Sequence, residues 1–170
     1  MTYNSATGLG YIPFLNRVHR RNLVDWYLEI GCRTGTSAKM CMSKTILVDP
    51  FFKIETNIIG AKTRLHVFQQ ESDAFFETGF VEATRTKISF AFLDGLHLFE
   101  FLLRDFMNTE NVSLADGVIA MHDCCPWDLE MTTRDLKNLP TKFAWTGDVW
   151  KLIPILQEYR PDLKVEVLGC

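Results

Sequence analysis

The chain has 170 residues, 47% hydrophobic and 12% aromatic, which suits one domain with a full core and excludes a disordered chain. Eighteen basic against 21 acidic residues leave a formal charge of −3, which argues against a dedicated nucleic-acid binder. No apolar run approaches the ~20 residues of a bilayer span.

Taken in order, apolar residues at 12, 14, 15, 18, 23 and 24 predict a leading helix over 12–24, with Arg17, His19, Arg20 and Arg21 on its solvated face. Tyr27-Leu28-Glu29-Ile30 reads as a strand, followed by a glycine-bounded turn over 31–35. A short helix over 36–42 comes next, with Thr36 or Ser37 available as its N-cap. A second strand spans 45–48 and stops at Asp49-Pro50. A weaker third strand over 65–69 precedes a helix over 73–84. The near-continuous apolar run over 88–93 is that of a strand covered on both faces. A helix over 99–107 and another buried strand over 117–121 follow. Apolar residues at 149, 150, 152, 153, 155, 156 and 159 give an amphipathic helix that Pro161 ends, and 163–168 is a last strand. This alternation predicts a single α/β domain over 1–170, a Rossmann-like, doubly wound parallel sheet in three α/β/α layers, with 1–26 as a helical lead-in.

The opening MTYNSATGLGYIPF lacks the parts of a signal peptide. The five cysteines include no C-x-x-C pair, so neither a zinc site nor a disulfide framework is signalled. A cytoplasmic protein without a membrane partner is expected, its cysteines serving as small buried apolar residues.

In an open parallel sheet, ligands bind where loops leave the carboxyl ends of the strands. The first such loop, Glu29-Ile-Gly31-Cys32-Arg33-Thr-Gly35, allows a tight turn and close backbone approach to a ligand. Asp49 ends the second strand roughly 20 residues on, where an acid accepts hydrogen bonds from ribose hydroxyls; a turn aspartate before proline is the other reading. Neither G-x-G-x-x-G nor G-x-x-x-x-G-K-[ST] occurs, so dinucleotide and P-loop sites fall behind. The absence of G-x-S-x-G likewise lowers the hydrolase reading. Asp94, His97 and the pair His122-Asp123 follow neighbouring strands and are expected to converge above the sheet. Two carboxylates with imidazoles suit a divalent cation, Mg or Mn, while a histidine alone serves as a general base. The plain alternative is a turn at Asp94-Gly95 and a hydrogen-bonded corner at His122-Asp123. Arg104-Asp105 reads as a surface or packing pair, and WTGDVW over 145–150 as core aromatics with Gly147-Asp148 looping over the pocket.

LEIGCRTG resembles the first motif of class I S-adenosylmethionine (SAM) dependent methyltransferases, commonly E/D-x-G-x-G-x-G, and ILVDP resembles their second. FAFLDGLHLFEFLLRDF and GVIAMHDCCP are similar to a subgroup with a DG-x-H segment and an HD pair after strands four and five, that of macrocin O-methyltransferase and cephalosporin-hydroxylase-type proteins. The resemblance covers roughly residues 27–168. It implies methyl transfer from SAM to a hydroxyl or amine of a small molecule. Glu29, Gly31, Cys32, Arg33 and Gly35 would then frame the methionine end of SAM, Asp49 the ribose, and Ser72 and Asp73 the adenine, with Asp94 beside them. Ser72-Asp73 also suits a plain N-cap. His122, Asp94 and His97 would be the catalytic groups, and Asp94 and Asp123 the metal ligands, with His122 or His97 completing the set. Arg33 stands where the family has its middle glycine, and Leu96 where some metal-dependent relatives carry a second aspartate. Both departures favour the alternative, a non-catalytic SAM- or nucleoside-binding module of the same fold. The family's sheet usually finishes with an antiparallel seventh strand. Here six parallel strands are expected without it, the open sheet position being left bare or filled by a second copy in a homodimer.

Overall fold

The computed structural model describes residues 8–21, 24–142 and 144–169. Five strands form one all-parallel sheet: β1 (Trp26–Ile30), β2 (Lys44–Val48), β3 (Leu65–Phe68), β4 (Ile88–Leu93) and β5 (Ser113–Met121). Their spatial order is β3-β2-β1-β4-β5, so the winding reverses between β1 and β4, the position at which open α/β sheets bind ligands. The expected α/β fold with an all-parallel sheet is present, and its winding is compatible with a Rossmann-like one. β1 is buried at every residue, as a strand covered on both faces is, and this includes the carboxyl of Glu29.

Register places the site. Ile30 pairs with Val48 on one side and Leu93 on the other, and Leu93 pairs with Met121. The next residues along these strands, Gly31, Asp49, Asp94 and His122, therefore stand in a row at one end of the sheet.

One face carries α2 (Ser72–Glu77), α3 (Phe80–Ala83), α4 (Phe99–Val112) and α5 (Leu152–Tyr159). Their Phe75, Val81, Leu102, Phe106, Leu152 and Leu156 bury against Leu28, Ile30, Ile46, Val48 and Leu93. At about 1.5–3 kcal/mol for each such side chain, this layer dominates the stability that orders the loops above it. The other face carries α1 (Tyr11–His19), whose Leu15 packs with Tyr27, Phe90 and Phe92.

Several expectations are corrected. Residues 36–42 form turns and no helix; Ser37 turns its hydroxyl inward to Glu29 instead of capping. The helix over 73–84 is two short ones, broken at Gly79, whose φ of 60° no helix continues through. α1 stops at His19, and positions 22 and 23 of the predicted 12–24 helix lie outside the described residues. His19 is 1% exposed, so it leaves the solvated face while Arg17, Arg20 and Arg21 stay on it. β5 starts earlier than expected and forms the sheet's outer edge, with Val118 57% exposed. Its apolar run looks like a core strand, but it ladders with β4 alone. The described residues hold five strands and not six: Leu163 and Val165 pack on the core, yet 164–169 makes no ladder. Of the cysteines, Cys32 and Cys41 are buried as expected, whereas Cys125 is exposed. No described helix is long and apolar enough to cross a membrane.

Candidate functional site

The backbone at the switch point is tightly held. Gly31 N–H donates to Val48 O at 2.9 Å, Asp94 N–H to Ile30 O at 2.8 Å, and His122 N–H to Leu93 O at 3.0 Å. Gly31 sits at φ +87°, and a Cβ there would fall 1.9 Å from Asp94 O. Only glycine lets the first loop pass this close to the loop after β4. Gly35 closes the turn through its N–H to Cys32 O at 2.6 Å. Asp49 ties the second strand end to the first: Oδ2 accepts Arg33 N–H at 2.8 Å and Oδ1 accepts Phe51 N–H at 2.7 Å.

Other predicted cofactor residues sit deeper or pair elsewhere. Glu29 is fully buried beneath the turn, where Tyr27 Oη donates to Oε2 at 2.7 Å and Ser37 Oγ to Oε1. Burial pushes its carboxyl up to about 7, against the pull of those two hydrogen bonds. Cys32 is buried, its thiol directed to Val48 O. Asp73 takes the guanidinium of Arg104, with Nε at 2.9–3.0 Å and Nη2 at 2.8 Å. Arg104 and Asp105 are therefore no pair: neighbours on a helix point apart. Asp105 is 2% exposed, hydrogen-bonded by Ser72, with Oδ1 left without a partner, and burial pushes it up to about 6.

Asp94, His97, His122 and Asp123 come together as the sequence predicts, each side chain 18–25% exposed. Asp94 Oδ1 lies 3.2 Å from His97 Nε2 and 3.1 Å from His122 Nδ1. Asp123 Oδ2 lies 3.3 Å from both His97 Nδ1 and His122 Nδ1. Asp123 adopts φ 56°, a left-handed conformation costly for a side-chain-bearing residue and common at functional sites. Ligand atoms of Asp94, His97 and Asp123 lie within 4.8 Å of one another, close enough to hold a cation, and His122 Nδ1 stands beside the same two carboxylates.

Charge in this cluster is coupled. Burial pulls the His122 imidazole down, but hydrogen bonds to Asp123 and Asp94 and their charges override it and push it up to about 10. His97 is raised in the same way, burial opposing and the Asp94 hydrogen bond and Asp123 charge prevailing. Asp94 is held below its usual range: burial alone would raise it, and the two imidazoles outweigh that. The hydrogen bonds and charges of the two aspartates thus favour the protonated form of both imidazoles.

The sequence reading missed two contributors. Tyr11, from α1, stacks on Phe92 and sets its ring 4.2 Å from that of His122. Burial and the charges of Asp94 and Asp123 raise its phenol. Trp145 tilts over His97 at 5.1 Å, and its carbonyl accepts His97 Nδ1–H at 2.7 Å. Neither carries a local signal, because Tyr11 and Trp145 lie far from the cluster in sequence. Leu96 is 40% exposed and offers no polar atom. A cleft of about 480 Å³ lies elsewhere, lined by Asp73, Glu77, Arg104 and Asn108 among others, and no member of the cluster lines it. Compared with known proteins, the chain matches no family model and no curated protein.

Proposed function

We propose that the chain is a SAM-dependent methyltransferase acting on a hydroxyl or amine of a small molecule, with Asp94, His97 and Asp123 holding a divalent cation, Mg or Mn. The observation that carries this reading is the convergence of Asp94, His97 and Asp123 beside the Gly31 turn at the switch point of a parallel sheet. Their donor set fits the cation: two carboxylates suit Mg²⁺, and one imidazole shifts preference toward Mn²⁺. The first loop and Asp49 form the backbone cradle that supports donor binding.

In the transfer, the acceptor's lone pair takes the methyl carbon, the sulfur–carbon bond breaks, and the acceptor's proton leaves to a base. The chain's groups mainly orient the acceptor and receive that proton, since the sulfonium is already a good leaving group. His122 is protonated while it faces Asp94 and Asp123 alone, so it becomes a base only when their charge is neutralised. A cation held by Asp94, His97 and Asp123 would supply that charge and would lower the pKa of a substrate hydroxyl. Asp94 and Asp123 orient the acceptor.

The test is calorimetry with S-adenosylhomocysteine, then its release from SAM with a panel of hydroxyl and amine acceptors, with and without EDTA. Wild type is expected to bind, and Asp49→Ala to bind more weakly by about 1.5–3 kcal/mol, the range for a lost charge-assisted hydrogen bond. Absence of binding by the wild type overturns the reading. The exposed Leu96, which offers no base, favours one alternative, a non-catalytic SAM-binding module. Binding without product release in the presence of Mg²⁺ or Mn²⁺ would select it.

A further inference from the structure

His97 is held by a backbone device that the cluster itself does not supply. Segment 145–148 meets the residue at three points. Trp145 O takes the Nδ1 proton at 2.7 Å, and Asp148 N–H donates to His97 O at 3.2 Å. Gly147, at φ +55°, runs so close that a Cβ would fall 1.6 Å from His97 O. The segment is clamped in turn. Thr146 and Gly147 N–H both donate to Met131 O at 3.0 Å. Asp148 is 3% exposed, and its Oδ1 accepts the N–H of Phe99, the first residue of α4, at 2.8 Å. Its Oδ2 accepts from Arg134 Nη1 at 2.7 Å and Lys151 Nζ at 2.8 Å, and Arg134 also grips Glu100. The buried carboxylate thus joins the start of α4, the loop after β5 and the approach to α5, while the N–H of the same residue holds the backbone of His97.

Resting on the reading of Asp94, His97 and Asp123 as cation ligands, we propose that Asp148 is the positioning residue of His97. It locks the 145–147 backbone so that Nδ1 is a fixed donor and Nε2 the ligand atom. A carbonyl oxygen has no proton to give, so Nδ1 carries one whenever the Trp145 contact is made. Nε2 then faces Asp94 Oδ1 at 3.2 Å, where only a proton or a cation makes the contact attractive. Histidine ligands are commonly oriented in this way, and loss of the orienting partner weakens metal binding 10–100-fold.

The test measures Mn²⁺ affinity of the full chain by calorimetry and by the electron paramagnetic resonance of free Mn²⁺, for wild type, Asp148→Ala and Asp148→Asn. Asp148→Ala is expected to weaken Mn²⁺ about tenfold or more while S-adenosylhomocysteine affinity stays unchanged. Asp148→Asn keeps an acceptor for Phe99 N–H and is expected to recover part of the loss. If Asp148→Ala does not fold, wild type decides alone: nitrogen-15 spectra of the Mg²⁺-loaded chain must show the His97 proton on Nδ1. A proton on Nε2, or equal Mn²⁺ affinity in a folded Asp148→Ala, overturns this proposal and leaves the cation reading standing. A wild type that binds no Mn²⁺ overturns both.

Discussion

His19 closes α1 with its ring edge-on to Tyr27 at 4.6 Å and to Phe90 at 5.8 Å, and neither ring nitrogen has a partner. Burial, helped by the charge of Lys62, lowers its pKa to about 4. The folded imidazole is therefore neutral at pH values where the unfolded chain, at the ordinary 6.5, already binds a proton. The sign follows: this residue's stability is intact above pH 6.5 and is lost as pH falls toward 4. Linkage over that window amounts to about 2.5 kcal/mol between roughly pH 7.5 and 4.5, out of a ceiling of about 3. Glu29 runs the opposite way, so wild type alone does not isolate the effect. His19→Phe keeps the aromatic contacts and removes the titration. Urea unfolding of both proteins at the two pH values is the assay, read as the change in their difference. The variant is expected to gain about 2.5 kcal/mol on wild type as pH falls. Curves that stay parallel within about 0.5 kcal/mol would refute a neutral, unpartnered His19.

Glu29, fully buried and pushed up to about 7 from 4.5, contributes stability that is present below pH 4.5 and lost as pH rises through 7. Glu29→Gln is expected to flatten the fall in unfolding free energy between about pH 5 and 8, and an unchanged slope in urea titrations counts against it. Gly31→Ala sets a Cβ 1.9 Å from Asp94 O at a left-handed φ. Its thermal midpoint should drop by about 10 °C or more, a result that a shift under about 2 °C contradicts.

The cluster was legible because period and register are local. An apolar strand whose next residue is Asp94, beside another followed by His122-Asp123, must deliver those side chains to the same end of a parallel sheet. The alternation of apolar runs with helical segments determined the parallel α/β class in the same way, since strands covered on both faces are predominantly apolar. Tertiary structure decided what depends on a partner remote in sequence. Asp73 and Arg104 meet only because α2 and α4 share a face, and His19 is buried because α1 lies across Tyr27 and Phe90. Residues 163–168 have strand-like residues but no ladder, because a strand exists only where a neighbour accepts its backbone hydrogen bonds. Asp148 is the clearest instance. In the sequence it is one turn residue after a glycine, and only the packing of 145–148 under His97 makes it the cap of α4 and the brace of the site.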